Sequence, residues 1–488
     1  MSYSEKLEYS AGSPATASGA THRLKGHLGT MDIVFTVLAY NAPLTIIIGL
    51  IPVIIGAGNG LGAPLTYLAA GALMLLFAVG FTTMARHVPN AGAYYAYITA
   101  GLGRPLGLGS AFMAILAYTF MLVGAYLYAG VIFSSISLSW IGIESLPWWE
   151  WTLVLALLVG ILGHFRISLS AKVLTAALIL EVIVVFAWEA SVVSKGGANG
   201  IGFEWLTSSA ITSGSIGLAV LFGVTCFAGF EATAVFREEA RDPEKTVPRA
   251  TYIAIIVMTL IFASGTTAFI WALGPEQALQ KSTNDPSNAG LLAIEMYLGR
   301  VGVDIVHTLM ATSIFACVLA IHNILGRYIY SLSVDGVFPK IFSNVHPRHG
   351  SPYKASATVV LITLASVVAV VIAQIEPYGG YASLVGIAGY TLLILQILTT
   401  LAVLVFFKKV DHTASKWQSV IAPVLALLGL LVTAWLATAN IGLLTGSEQT
   451  AMILLAFLFG ALIVGSIYAV RLKSSKPSVY HVIGRQEI

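Results

Sequence analysis

GSIGLAVLFGVTCFAGFEATAVFREEARDPEKTVPRA, residues 214–250, is an apolar run with glycines and one acid at its centre, followed at once by a cluster of charges. A carboxylate at mid-bilayer depth costs about 2.5–3.5 kcal/mol even on the lenient insertion scale, so Glu231 needs a partner, a proton or a watery cavity. Its neighbours Phe227, Ala228, Gly229 and Phe230 set a glycine beside that acid. A discontinuous helix at a transporter's midplane site needs that combination, because unwound backbone is tolerated at membrane depth only where protein or a cavity covers it. The stretch alone leaves a second reading open, a packing glycine next to a protonated structural glutamate.

Of 488 residues, 57% are hydrophobic and 10% charged, and mean hydropathy is +0.88. Such a chain lacks the polar residues to cover soluble domains, so it reads as an all-α polytopic membrane protein in contact with the lipid bilayer. The net charge of +3 gives no case for nucleic acid. Cys226 and Cys317, the only cysteines, lie in apolar runs, which excludes a disulfide framework and suits packing. Residues 1–30, rich in Ser, Ala, Gly and Thr, read as a mobile tail without a signal-peptide core, and the run from Met31 is longer than such a core.

Runs of about 20 apolar residues, enough to cross a bilayer, lie near 31–56, 63–85, 106–139, 148–163, 169–190, 214–236, 248–273, 303–333, 355–375, 379–407, 418–439 and 449–471. Twelve spans place both termini on one side. Of the 25 Lys and Arg residues, all but Lys195, Lys281 and Arg300 fall in the tails and the even-numbered loops. Those parts are therefore expected on the cytoplasmic face of the cell membrane.

Two loops carry more than connection. PNAGAYYAYITAGLGRPLGLG (89–109) predicts a short cytoplasmic helix leading into span 3, and NAGLLAIEMYLG (288–299) is apolar but too short to cross, which suits an extracellular lid. Span 1 holds Asn41, Ala42, Pro43, Leu44 and Thr45 near its centre. Proline there removes a backbone donor and clashes with the preceding turn, so the helix should open. Span 6 has its weak point at a similar depth, five spans later, and an odd separation reverses orientation. Paired interruptions in two inverted halves point to a midplane substrate site.

At these residues the chain resembles the amino acid, polyamine and organocation permeases, over nearly its whole length. GFEATAVFREEARDPEKTVPRA (229–250) is similar to that family's sixth span and following turn, and PNAGAYYAY (89–97) to the entry of its third span. RYIYSLSVDGVFP (327–339) is similar to the end of its eighth, with Val334 where a basic residue is usual. The resemblance implies a leucine-transporter-type fold of two inverted five-helix repeats, 31–190 and 214–407. Between them lies the loop 191–213, with spans 11 and 12 at 408–471 and a cytoplasmic tail at 472–488. It also implies a substrate held between Asn41–Thr45 and Phe227–Glu231, with half-helix amides for a carboxylate and carbonyls for an ammonium. The family's small, glycine-rich span 1 turn is APLTIIIG (42–49) here, and Tyr40–Thr45 is similar to bacterial putrescine importers. Amino acids and small amines both stay open as substrates.

Glu181 lies near the middle of span 5, where the resemblance leads one to expect a lysine standing in for sodium. A glutamate there is a candidate proton carrier in symport. The alternatives are a cation ligand together with Thr312 and Ser313 of span 8, or a structural hydrogen bond. Tyr118 and Tyr126, eight residues apart in span 3, are candidates to share a face toward the pocket, against plain packing. Arg237, Glu238, Glu239 and Arg241 are expected in a cytoplasmic salt-bridge network that latches an inner gate, against a solvated loop. Gly56–Gly62 and Gly101–Gly109 are glycine-rich but follow no strand, and no catalytic constellation, phosphate loop or zinc-ligand helix is found, so no enzyme, cofactor or metal site is expected. A channel lacks its repeated pore helices. An exchanger, a sodium-coupled carrier and a nutrient receptor remain as rivals on the same fold.

Overall fold

Proline opens helix after helix, because the first helical amide has no intrahelical acceptor and its loss costs little there. The computed structural model describes residues 28–88, 93–140, 146–165, 171–235, 237, 240–347 and 351–484. These form α1 (Thr30–Asn41), α2 (Pro43–Gly49), α3 (Ile51–Ala57), α4 (Ala63–His87), α5 (Ala93–Leu102), α6 (Arg104–Trp140) and α7 (Trp148–Phe165). Next come α8 (Ala171–Ser194), α9 (Ser208–Ile211), α10 (Ile216–Thr225), α11 (Ala232–Val235), α12 (Pro243–Leu273), α13 (Pro275–Asn284) and α14 (Pro286–Val334). The chain continues through α15 (Tyr353–Ile372), α16 (Pro377–Lys409), α17 (Ala422–Ala439), α18 (Ile441–Thr445), α19 (Glu448–Ser475) and α20 (Pro477–Val482). Among the described residues there is no strand beyond an isolated bridge between Leu28 and Ala240.

Among the described residues ten helical segments are long and apolar enough to cross a membrane, and Trp148–His164 and Ile216–Thr225 are apolar but shorter. They sort into an inner and an outer set. The Thr30–Gly49 window is 72% buried, and those on α4, α6 and α16 are nearly as enclosed, whereas only 22% of the α19 window is buried. An all-round apolar helix with a buried face on one side only is what a bundle surrounded by hydrocarbon requires.

The region predicted as a short helix before span 3 is α5, set off from α6 by Gly103 at φ +101; its first residues, 89–92, lie outside the described ones. The predicted lid is the first part of α14, which turns at Gly299 (φ 67, ψ −171), a conformation open to glycine. One face of α8 holds this lid. Trp188 Nε1 donates to the Ala293 carbonyl at 3.0 Å, and Ser191 Oγ and Lys195 Nζ donate to that of Tyr297 at 3.2 and 3.0 Å.

At the opposite end, α20 folds back against α5. Arg104 donates to the His481 carbonyl and stacks on the Tyr480 ring, Ile483 is fully buried, and the Gly484 amide reaches Asp335 Oδ2, which also accepts from Tyr95. Burial pushes the Asp335 carboxyl up to about 6, against the pull of the Gly484 amide and the Tyr95 hydroxyl toward the charged form. A carboxyl whose pKa is higher docked than free binds its proton more tightly docked. Tail docking is therefore strongest below the ordinary carboxylate range and weakens as pH rises through 6. Proteolysis beyond Ser475 is expected to slow as pH falls from about 7.5 to about 5, and Asp335→Asn to remove that dependence. An unchanged pH trend in the variant would place the effect on another group.

Candidate functional site

The first span opens where proline predicts. α1 ends at Asn41, α2 begins at Pro43, and Ala42 between them is left-handed at φ 47, ψ 68. An L-residue in that conformation costs about 1–2 kcal/mol, so the break is held by its surroundings. Asn41 Nδ2 bonds back to the Val37 carbonyl at 3.0 Å, and the Thr45 hydroxyl is buried without a partner.

The sixth span tightens before it breaks. Phe227, Ala228 and Phe230 donate three residues back, to Val224, Thr225 and Phe227, in place of the α-helical four, and α11 begins again at Ala232. Gly229 sits in this turn at φ 97. Its amide donates to Glu231 Oε2 at 2.9 Å, and the Tyr118 hydroxyl donates to Glu231 Oε1. Both oxygens of this buried carboxylate are thus engaged, and the acid ties the turn at Gly229 to α6 through Tyr118.

The two breaks meet. A Cβ on Gly229 would run into the ring of Tyr40, the residue just before the span 1 opening, whose hydroxyl donates to Met121 Sδ at 3.0 Å. Phe227 and Phe230, predicted beside the substrate, are turned the other way: Phe227 packs edge-on to Phe262, and Phe230 edge-on to Phe77 and Phe81 of α4. Every face of this span is apolar, so sequence gave no phase to tell lining from packing.

Glu181 is buried on α8. Ser313 Oγ donates to its Oε2 at 2.8 Å, and the backbone of Leu44, at the start of α2, lies beside it. The carboxylate predicted for coupling therefore adjoins the span 1 break. Thr312, expected beside Ser313, is exposed and bonds the Leu309 carbonyl instead. Adjacent helical residues point about 100° apart, and here it is Ser313 whose side chain faces α8. His322, a span 8 residue outside the site, bonds Ser356 of α15 at 2.8 Å.

Aromatic side chains close the region on both sides. Toward α5 lie Tyr94, Tyr95, Tyr118 and Tyr328, all buried. The hydroxyls of Tyr94 and Tyr328 and Gln396 Oε1 have no hydrogen-bond partner; both tyrosines neighbour Glu231, and Tyr94 neighbours Gln396. Sequence reasoning missed these three. Toward the lid, Tyr128 stacks on Tyr381 at 4.6 Å over Gly49, and Tyr378 donates to the Gly49 carbonyl at 2.8 Å.

Of the expected inner-gate residues, Glu238 and Glu239 lie outside the described ones. Arg237 donates to the Ala85 carbonyl at 2.7 Å, and the Arg241 amide to that of Leu28 at 3.0 Å. The ion pairs found among the described residues, Lys245–Asp242 and Arg300–Asp304, do not include Arg237 or Arg241. Among the described residues no group of three or more His, Cys, Asp or Glu could hold a metal ion.

The sequence model of the amino acid permease family matches residues 33–464. The low-affinity putrescine importer PlaP of Escherichia coli K12 is 25% identical over 336 residues, which cover 67% of this chain and 72% of the importer. The branched-chain amino acid permease BcaP of Bacillus subtilis is 24% identical over 463 residues, 88% of this chain and 91% of the permease.

Proposed function

The chain belongs to the amino acid permease family, and from that premise we propose that it imports a small organic ammonium compound, an amine or an amino acid, by proton-coupled alternating access. It is a multi-pass membrane transporter and not an enzyme. In this reading twelve spans form two inverted repeats of five plus two outer helices, with α10 and α11 the halves of span 6. Both termini and α5 face the cytoplasm, in keeping with the side where nearly all Lys and Arg lie.

The observation that carries the reading is the meeting of the two breaks, Tyr40 on Gly229, beside a carboxylate that no cation pairs among the described residues. Glu231, Gln396 Oε1 and the free hydroxyls of Tyr94 and Tyr328 offer acceptors, which suits an ammonium group. An amide placed to cradle a substrate carboxylate, that of Leu44, lies beside the acid Glu181, where a second carboxylate is unwelcome. This favours an amine without a carboxylate, as for the putrescine importer. The amino acid reading keeps its own support in the longer match to the branched-chain permease.

Glu181 carries the proton: charged, it holds the start of α2 to α8 and α14; neutral, it loosens that hold and lets span 1 move. Sodium ligation at the same place would rest on Ser313 without Thr312. The test is a thermal-shift panel of amines and amino acids on the purified protein, then liposome uptake of the stabilising compounds with and without an imposed pH gradient. Accumulation driven by inward protons, indifferent to sodium, is expected. Binding without any uptake would overturn transport in favour of a receptor, and uptake driven only by internal substrate would replace symport by exchange.

A further inference from the structure

A cleft of about 260 Å³ opens between α4, α8 and α12, away from the helix breaks. Its wall lies on the outside of the bundle: Leu68, Val193 and Leu260 are 39%, 52% and 59% exposed, which in a bilayer means contact with acyl chains. Yet the same cleft is lined by a carboxylate. Glu189 accepts one hydrogen bond, from Ser264 Oγ at 2.9 Å, and takes part in neither ion pair found among the described residues. Beside it Trp205 Nε1 is buried without an acceptor, whereas Trp271 Nε1 is spent on the Gly202 carbonyl at 2.7 Å. Glu189 stands five residues before the end of α8 at Ser194, about 7.5 Å along the axis at 1.5 Å per residue, in the last turns of that helix.

An acceptor without a cation and an apolar wall open to acyl chains together fit one kind of molecule. We propose that this cleft binds an amine-headgroup phospholipid of the phosphatidylethanolamine type. Its ammonium rests on Glu189, the Trp205 ring borders the headgroup, and an acyl chain runs along Leu68, Val193 and Leu260. A trimethylated headgroup has no N–H to give the carboxylate, and an anionic glycerol headgroup is repelled by it, so the headgroup is selected by charge and by hydrogen-bond capacity together. A lipid-filled groove against α8 would bear on the helix that carries Glu181.

The test uses the full chain in nanodiscs of mixed phosphatidylethanolamine, phosphatidylcholine and phosphatidylglycerol, with retained lipid read by native mass spectrometry. Enrichment of the ethanolamine lipid by about fivefold is expected, the scale of a partly exposed charge pair. Glu189→Gln keeps the shape and the Ser264 bond, so it should fold and lose the enrichment. In parallel, ethanolamine lipid brominated on its acyl chains should quench indole fluorescence more in the parent protein than in Trp205→Phe. Equal retention of the three lipids, enrichment unchanged in Glu189→Gln, or quenching unchanged in Trp205→Phe would each overturn the proposal. So would displacement of the retained lipid by millimolar free ethanolamine or putrescine, which would make the cleft a site for soluble amines.

Discussion

Gly229→Ala is expected to abolish uptake while leaving the protein in the membrane. Two costs add at this residue. The backbone stands at φ 97, where a non-glycine residue pays about 1–3 kcal/mol. The new methyl would also enter the Tyr40 ring, and overpacking of that kind costs about 1–3 kcal/mol more. The turn can escape both by shifting, but a shift takes the Gly229 amide off Glu231 and moves the two breaks apart. A loss of transport on the order of 100-fold follows from roughly 2.7 kcal/mol at the site. Tyr40→Ala added to Gly229→Ala removes the steric part alone, so partial recovery is expected, and liposome uptake with a parallel thermal melt reads both. Normal uptake by Gly229→Ala would mean that the breaks do not meet in the transporting protein.

Glu181→Gln is expected to retain substrate exchange and lose pH-driven accumulation. Glutamine keeps an oxygen for Ser313 and the shape of the side chain beside Leu44, so the packing of α8 against α2 survives, whereas the site no longer takes and gives up a proton. In one-to-one symport a gradient of one pH unit sustains at most about tenfold accumulation, and the variant should fall to equilibration. Counterflow with preloaded substrate should persist within a fewfold. Unchanged accumulation under the same gradient would remove Glu181 from coupling, and loss of counterflow as well would make it structural.

Much of the fold is legible in the sequence because membrane helices announce themselves by length and composition, and proline and glycine mark where they open. Pro43 and Gly229 gave the two breaks, and Gly299 stands at the turn that sets the apolar 288–299 segment off from the rest of α14. Side-chain direction was less legible. In a span apolar on every side nothing distinguishes the face of Phe230 that meets α4 from one that meets a ligand, and choosing Ser313 over Thr312 needs the helical phase relative to α8. Contacts between distant segments left no local mark at all. PSVYHVIG, residues 477–484, has no periodicity to predict that Ile483 is buried and that the Gly484 amide meets Asp335.

In the proposed transport cycle, the tyrosine layers on either side of the breaks serve as the two gates and so bear on electrical insulation. A passing ion needs both layers open at the same instant, so the leak scales with the product of two opening probabilities. With each layer open about 1% of the time, a through-path exists about one ten-thousandth of the time. Weakening one layer, for instance by taking the Tyr378 hydroxyl off Gly49, costs the cell little current. Weakening both multiplies, and the membrane potential then pays for what the substrate gradient gains.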